Sequence, residues 1–214
     1  MNPENNKTNV DIKKETSEIY AHFIDILFAV VIGQSFALLN SQEGYKSWLA
    51  QPSENTFGIA TLLLIYGLVI TSWVGYHRSI RFYPIKNPLR FVIDISLLFV
   101  YYMGFVNAKN FEIIITWIFP SSFLLYTFWD ALRLWEYHTE KSSTRNLIKR
   151  FLISLFFTAG FFTIAITYNY IFKEAEKKVE WFNGALFIIL LLMLVVYRYL
   201  KWYKEPVKTS NFKV

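Results

Sequence analysis

Three carboxylates lie within or at the margins of long apolar stretches: Asp25, Asp94 and Asp130, with His22 and His77 close by. An ionisable group at hydrocarbon depth is costly, so by default it faces protein, water or a partner. With successive helical residues about 100° apart, His22, Asp25, Ala29, Gly33, Phe36 and Asn40 share one face, with Ile32 beside it. That face reads in two ways. Ala29 and Gly33 form a small-xxx-small pair suited to close helix packing. The same stripe, polar at both ends and small in the middle, could line an aqueous path. His22 and Asp25 are three residues apart and can touch, as a satisfied polar pair or as a pH-sensitive one. Trp73, His77 and Arg81 share a face further on. They read as an interfacial anchor, or as donors with which Trp73 or His77 reaches across to Asp25. Arg90 precedes Asp94 by four residues and Arg133 follows Asp130 by three, so each buried acid is expected to be neutralised by an arginine of its own helix. Thr163, Thr167 and Tyr170 form a hydroxyl face whose groups are expected to bond preceding carbonyls.

Six apolar stretches carry these residues, near 19–40, 56–77, 89–107, 111–133, 151–172 and 182–200. Crossing a hydrocarbon core of ~30 Å takes about 20 helical residues, and each stretch is near that length. The expected fold is an all-α membrane protein with six transmembrane helices. Of the 22 Lys and Arg, 17 fall in the two ends and in the second-to-third and fourth-to-fifth connections. By the positive-inside rule both termini are then cytoplasmic, in a multi-pass protein of the plasma or inner membrane. Residues 1–15 read as a flexible cytoplasmic N-terminus, 16–203 as the membrane domain and 204–214 as a cytoplasmic tail. Thr16-Ser17-Glu18 offers a helix cap before the first span. Pro84 and Pro88 mark a turn, and the link around Ala108–Asn110 forces spans three and four to be antiparallel neighbours. Span six, almost entirely aliphatic, reads as scaffold or lipid-facing. Phe23-Ile24-Asp25-Ile26-Leu27 faintly echoes Phe128-Trp129-Asp130-Ala131-Leu132, as in a three-plus-three duplication or by chance.

The composition is 54% hydrophobic and 18% charged, with a net charge of +6. The basic residues sit beside spans, where they attract anionic lipid headgroups; nucleic acid is not an expected partner. Trp48, Trp73, Trp117, Trp135, Trp181 and Trp202 fall near predicted span ends, the depth that suits amphipathic rings. The chain has no cysteine, so no disulfide, iron–sulfur cluster or thiolate nucleophile can be built. Three histidines without cysteine argue against a metal site, and no cofactor is expected. The H-E-x-x-H, phosphate-loop and G-x-S-x-G signatures are missing, and the expectation is a protein that is not an enzyme. An intramembrane protease needs two acids at one depth, which Asp25 and Asp94 leave open.

Phe23-Ile24-Asp25 and Trp73-Val74-Gly75-Tyr76-His77-Arg78 resemble motifs of the six-span, non-P-loop potassium channels of endolysosomes and bacteria. That family carries an F-S-D signature in its first span and a W-x-x-H-H-like element ending its second. Here Ile24 replaces the serine, and Ile19 stands where the family has an arginine. The resemblance implies a homo-oligomer whose first helices surround one pore for a monovalent cation. It implies a polar network of His22 and Asp25 at the inner end, and a constriction at Ile32 or Phe36. The alternative is a membrane accessory or effector protein that transports nothing. It would recruit a cytoplasmic partner or perturb the membrane, as in some bacterial defence systems.

Overall fold

The computed structural model describes residues 3–41, 56–138, 141–172 and 180–203. The helices are α1 (Pro3–Asn40), α2 (Thr56–Phe82), α3 (Pro88–Val106), α4 (Phe111–Tyr137), α5 (Lys141–Phe172) and α6 (Glu180–Tyr203). Each contains a stretch long and apolar enough to cross a membrane, and no strand occurs among the described residues. The protein is an all-α, polytopic membrane protein of six spans. The expected tail 204–214, Lys46, Trp48, Lys173, Lys177 and Lys178 lie outside the described residues.

Two expectations at the start of the chain are corrected. Residues 3–15 continue α1 instead of forming a loose end, and Thr16-Ser17-Glu18 lies inside the helix instead of capping it. Nucleation is the unfavourable step in helix formation; once a span is helical, extending it costs little per residue. The connection between spans four and five extends both helices, α4 to Tyr137 and α5 from Lys141.

Local sequence sets the other boundaries. Asn87 caps α3, its side chain accepting from Leu89 N at 2.9 Å, and Pro88 at the first helical position sacrifices no bond. Asn110 caps α4 through Ile113 N. Residues Ile114–Ile118 of α4 form one π-helical turn, with Phe119 N donating to Ile114 O. Pro120 follows, with no N–H of its own to offer, and the widened turn absorbs the local mismatch.

The principal helix contacts close a ring: α2 beside α3, α3 beside α4, α4 beside α5, α5 beside α6, and α6 beside α2. Aromatic rings fill it. Phe123 lies 4.1 Å from Phe161 and 4.8 Å from Tyr197, centroid to centroid, and Tyr101, Phe105 and Phe119 are fully buried. Each such side chain withdraws large apolar area and packs densely. Helix α1 stays outside the ring, against α3 and α2. It buries Ile24, Phe28, Val31 and Ser35, spaced four, three and four. Tyr20 stacks on Phe91 at 4.7 Å, and Ser35 Oγ shares a hydrogen bond of 2.6 Å with Tyr66 Oη. The outer surface is apolar: Leu63, Phe99, Phe156, Ile166, Leu192 and Val195 are all exposed, which suits acyl chains and not water.

Candidate functional site

The first-span stripe turns away from the chain's own core. His22, Ala29, Gly33, Phe36 and Asn40 are exposed, and a Cβ added at Gly33 would meet nothing within 4 Å. Ala29 and Gly33 therefore pack against no helix among the described residues. Ile32 is partly buried against the core, whereas Phe36 projects outward with its ring 6.1 Å from that of Tyr66. Asn40 donates to Phe36 O of its own helix at 3.2 Å.

Asp25 anchors the stripe's other end. Its Oδ1 accepts from Trp73 Nε1 at 3.0 Å and from His77 Nε2 at 2.6 Å. A carboxylate can only accept here, so His77 carries its proton on Nε2. Trp73 and His77 stand one turn apart on α2 with rings 4.9 Å apart, so both reach one oxygen on the neighbouring helix. The structure thus brings Asp25, Trp73 and His77 together. It leaves His22 exposed and not bonded to Asp25, whose Oδ1 takes both of its donors from α2.

A second polar cluster lies inside the ring. Asp130 Oδ1 accepts from Arg133 Nη2 at 2.9 Å, the expected pairing within α4. Its Oδ2 accepts from Lys201 Nζ of α6 and from Ser154 Oγ of α5, each at 2.5 Å. Arg133 also donates to Ser79 of α2 at 2.7 Å. The carboxylate therefore ties three helices, and Arg133 adds α2 as a fourth. The scaffold reading of span six is corrected here, since α6 supplies Tyr197, Arg198 and Lys201 to this interior.

The expected Arg90–Asp94 neutralisation is not what forms. Arg90 is fully buried and donates to Glu136 Oε2 at 2.5 Å and to the carbonyls of Pro84 and Tyr83, while stacking on Trp129 at 4.4 Å. Helical side chains tilt toward the N-terminus, so Arg90, at the start of α3, points into the preceding turn and away from Asp94. Glu136 Oε1 also accepts from Asn87 N, and Tyr137 Oη donates to Pro84 O. The α2–α3 turn is thereby clamped to the end of α4. Asp94 is buried with no partner at Oδ2.

Between these two regions run Tyr101, Ser72 and Tyr126. Tyr101 Oη donates to Ser72 Oγ at 2.7 Å and shares a bond of 2.6 Å with Tyr126 Oη. On α5, Thr163 is exposed and bonds back to Ala159 O at 2.9 Å, and Thr167 and Tyr170 are exposed with it. The echo between Asp25 and Asp130 has no structural counterpart: α1 lies outside the ring and α4 is part of it. Among the described residues no three His, Cys, Asp or Glu side chains gather as a metal site.

Residues missed in the sequence had a readable signal. Phe119, Phe123, Tyr126, Asp130, Arg133 and Tyr137 are all buried, at alternating spacings of four and three. Leu186, Leu190, Leu194 and Tyr197 run into Lys201 in the same way. Charged residues that continue a buried stripe are interior residues, whatever their nearness to a span end. Compared with known proteins, the chain matches no protein family, no curated protein and no solved structure.

Proposed function

We propose that copies of this membrane protein assemble with their α1 helices around a shared path for a monovalent cation. The observation that carries this reading is the position of α1. It lies outside a closed ring of helices, its foot locked to α2 through Asp25, and along its stripe Ala29, Gly33, Phe36 and Asn40 are exposed, with nothing among the described residues within 4 Å of a Cβ added at Gly33. The ring interior is filled with aromatic side chains, so a path through a single chain is disfavoured. A path between chains needs a helix face that is uncovered, small in its middle and bounded by a bulky apolar side chain. α1 has such a face, with Phe36 the better candidate for a hydrophobic constriction, since Ile32 leans on the core. The resemblance of Phe23, Asp25, Trp73 and His77 to the non-P-loop potassium channels points the same way. The basic end of the bundle is assigned to the cytoplasm on the charge bias.

Potassium flux into liposomes, read beside the oligomeric state in detergent and in nanodiscs, tests the proposal. Gly33→Leu adds bulk where a single chain has open space, so it should leave the melting temperature unchanged and lower flux at least tenfold. Phe36→Ala should raise flux or abolish its gating. A strict monomer, or flux indifferent to both changes, sinks the reading.

A further inference from the structure

Arg198 of α6 is buried, 7% exposed, yet among the described residues no carboxylate lies within ion-pair distance of it. Its Nη2 donates to Tyr126 Oη at 2.8 Å, and its guanidinium lies 4.9 Å and 5.3 Å from the rings of Tyr126 and Tyr197. Its Nε has no hydrogen-bond partner. The other cations of this interior are matched: Arg90 with Glu136, and Arg133 and Lys201 with Asp130. A buried charge is normally paired because the protein cannot replace its hydration otherwise. Arg198 is the exception.

The exception borders a cleft. Arg198 Nη1 reaches toward α2 at Gly75, where an added Cβ would lie 3.5 Å from it and 3.8 Å from Trp202 Nε1. These residues form one wall of a small cleft with a cavity volume of about 60 Å³. Every helix of the ring contributes to the lining and α1 does not. Basic side chains there are Arg78, Arg133, Arg150, Arg198 and Lys201, against the acids Asp94 and Asp130. Asp130 is already saturated by three donors. Asp94 stands on the α3 wall and leaves the α6 side as the positive one. The cleft's lining takes in the last turns of α2 and α6 and Arg150 of α5, beside the basic connections.

We propose that this cleft binds a phosphate group, with Arg198 as its principal cation and Arg78 as a second. Guanidinium suits the class, since its planar donors match two phosphate oxygens at once and the group sheds water more readily than an ammonium. Phosphate would supply the counter-charge that Arg198 lacks. The group could arrive on a lipid headgroup, from the surrounding leaflet, or as free inorganic phosphate. The site stands whether or not α1 lines a path.

The test uses the full chain in a neutral detergent, with melting followed by tryptophan fluorescence at constant ionic strength. Inorganic phosphate and a short-chain phosphatidate are titrated separately, with chloride as the control. The expected result is a saturable rise in melting temperature that chloride does not produce. Saturation by both ligands supports a site for phosphate at large, and saturation by phosphatidate alone supports a headgroup site. Gly75→Leu, which fills the wall without removing charge, and Arg78→Gln should each weaken the response at least tenfold; if one fails to fold, the other decides. Arg198→Met separates binding from support of the fold. Without phosphate it should melt no lower than the parent, because it deletes an uncompensated buried charge, and it should lose the phosphate response. No saturable rise with either ligand overturns the proposal. So does a rise that survives Arg198→Met.

Discussion

Asp25 and Asp130 are the same side chain in similar apolar surroundings, and the molecule keeps them by opposite means. Asp25 lies at the edge, its side chain 34% exposed, and two ring N–H groups from α2 hold it. Asp130 lies at the centre, its side chain 0% exposed, and an arginine, a lysine and a serine from three helices surround it. Burial is the cause of the difference. At the margin a carboxylate retains some hydration and needs only orientation. At the centre it has lost all hydration, and only full charges close at hand replace it. The edge site can therefore change without endangering the fold, whereas the centre is structure first. This contrast supports seeking transport at α1 and ligand recognition only where the centre is incomplete, at Arg198.

The contrast breaks most readily at Asp130. Asp130→Asn strands two buried cations, and a loss of about 3 to 5 kcal/mol is expected, read as poor recovery and a much lowered melting temperature in detergent. Replacing Asp130, Arg133 and Lys201 together by Leu, Met and Met should recover most of that loss. Parent-like melting of Asp130→Asn alone would contradict the assignment of the cluster as the structural centre. Ser154→Ala removes one donor and leaves both cations, so the expected loss falls to about 1 to 3 kcal/mol in the same assay. Tyr101→Phe should cost about 1 kcal/mol, because Tyr126 keeps its bond to Arg198. Asp25→Asn sharpens the comparison from the other side. The amide oxygen still accepts from Trp73, the site is partly solvated, and the stability change should stay below ~1 kcal/mol. Its effect should appear in potassium flux. Melting that falls as far as in Ser154→Ala would erase the distinction between edge and centre.

Much of the architecture was legible from residue order. Length and hydropathy marked six spans to within a few residues, and Asn87-Pro88 and Asn107–Asn110 carried their own turn and cap chemistry. The spacing of Trp73 and His77 made a reach to Asp25 conceivable, since two rings on one helical face can meet one neighbour. Pairings that depend on side-chain direction were harder to read. Arg90 was assigned to Asp94 on spacing, and the backward tilt of helical side chains sends it to Glu136, a residue that no local pattern connects with it. In the sequence Arg198 and Lys201 count as flanking charges that set topology, and Arg133 does so while also pairing with Asp130. Lys and Arg at a span end look alike in sequence whether they snorkel outward or turn inward. Only continuity with the stripes Phe119–Phe123–Tyr126 and Leu190–Leu194–Tyr197 distinguished them.

The sequence by itself determined that six helices form, where they turn and which end is basic, because each of these follows from local propensity, from length against bilayer thickness and from charge count. The tertiary structure alone decided that α1 stands outside a ring of five, that one aspartate serves two cations from separate helices, and that Arg198 faces a cleft without a counter-ion. Those facts depend on which helix becomes whose neighbour, and that is fixed by the fit of aromatic and charged surfaces far apart in the chain.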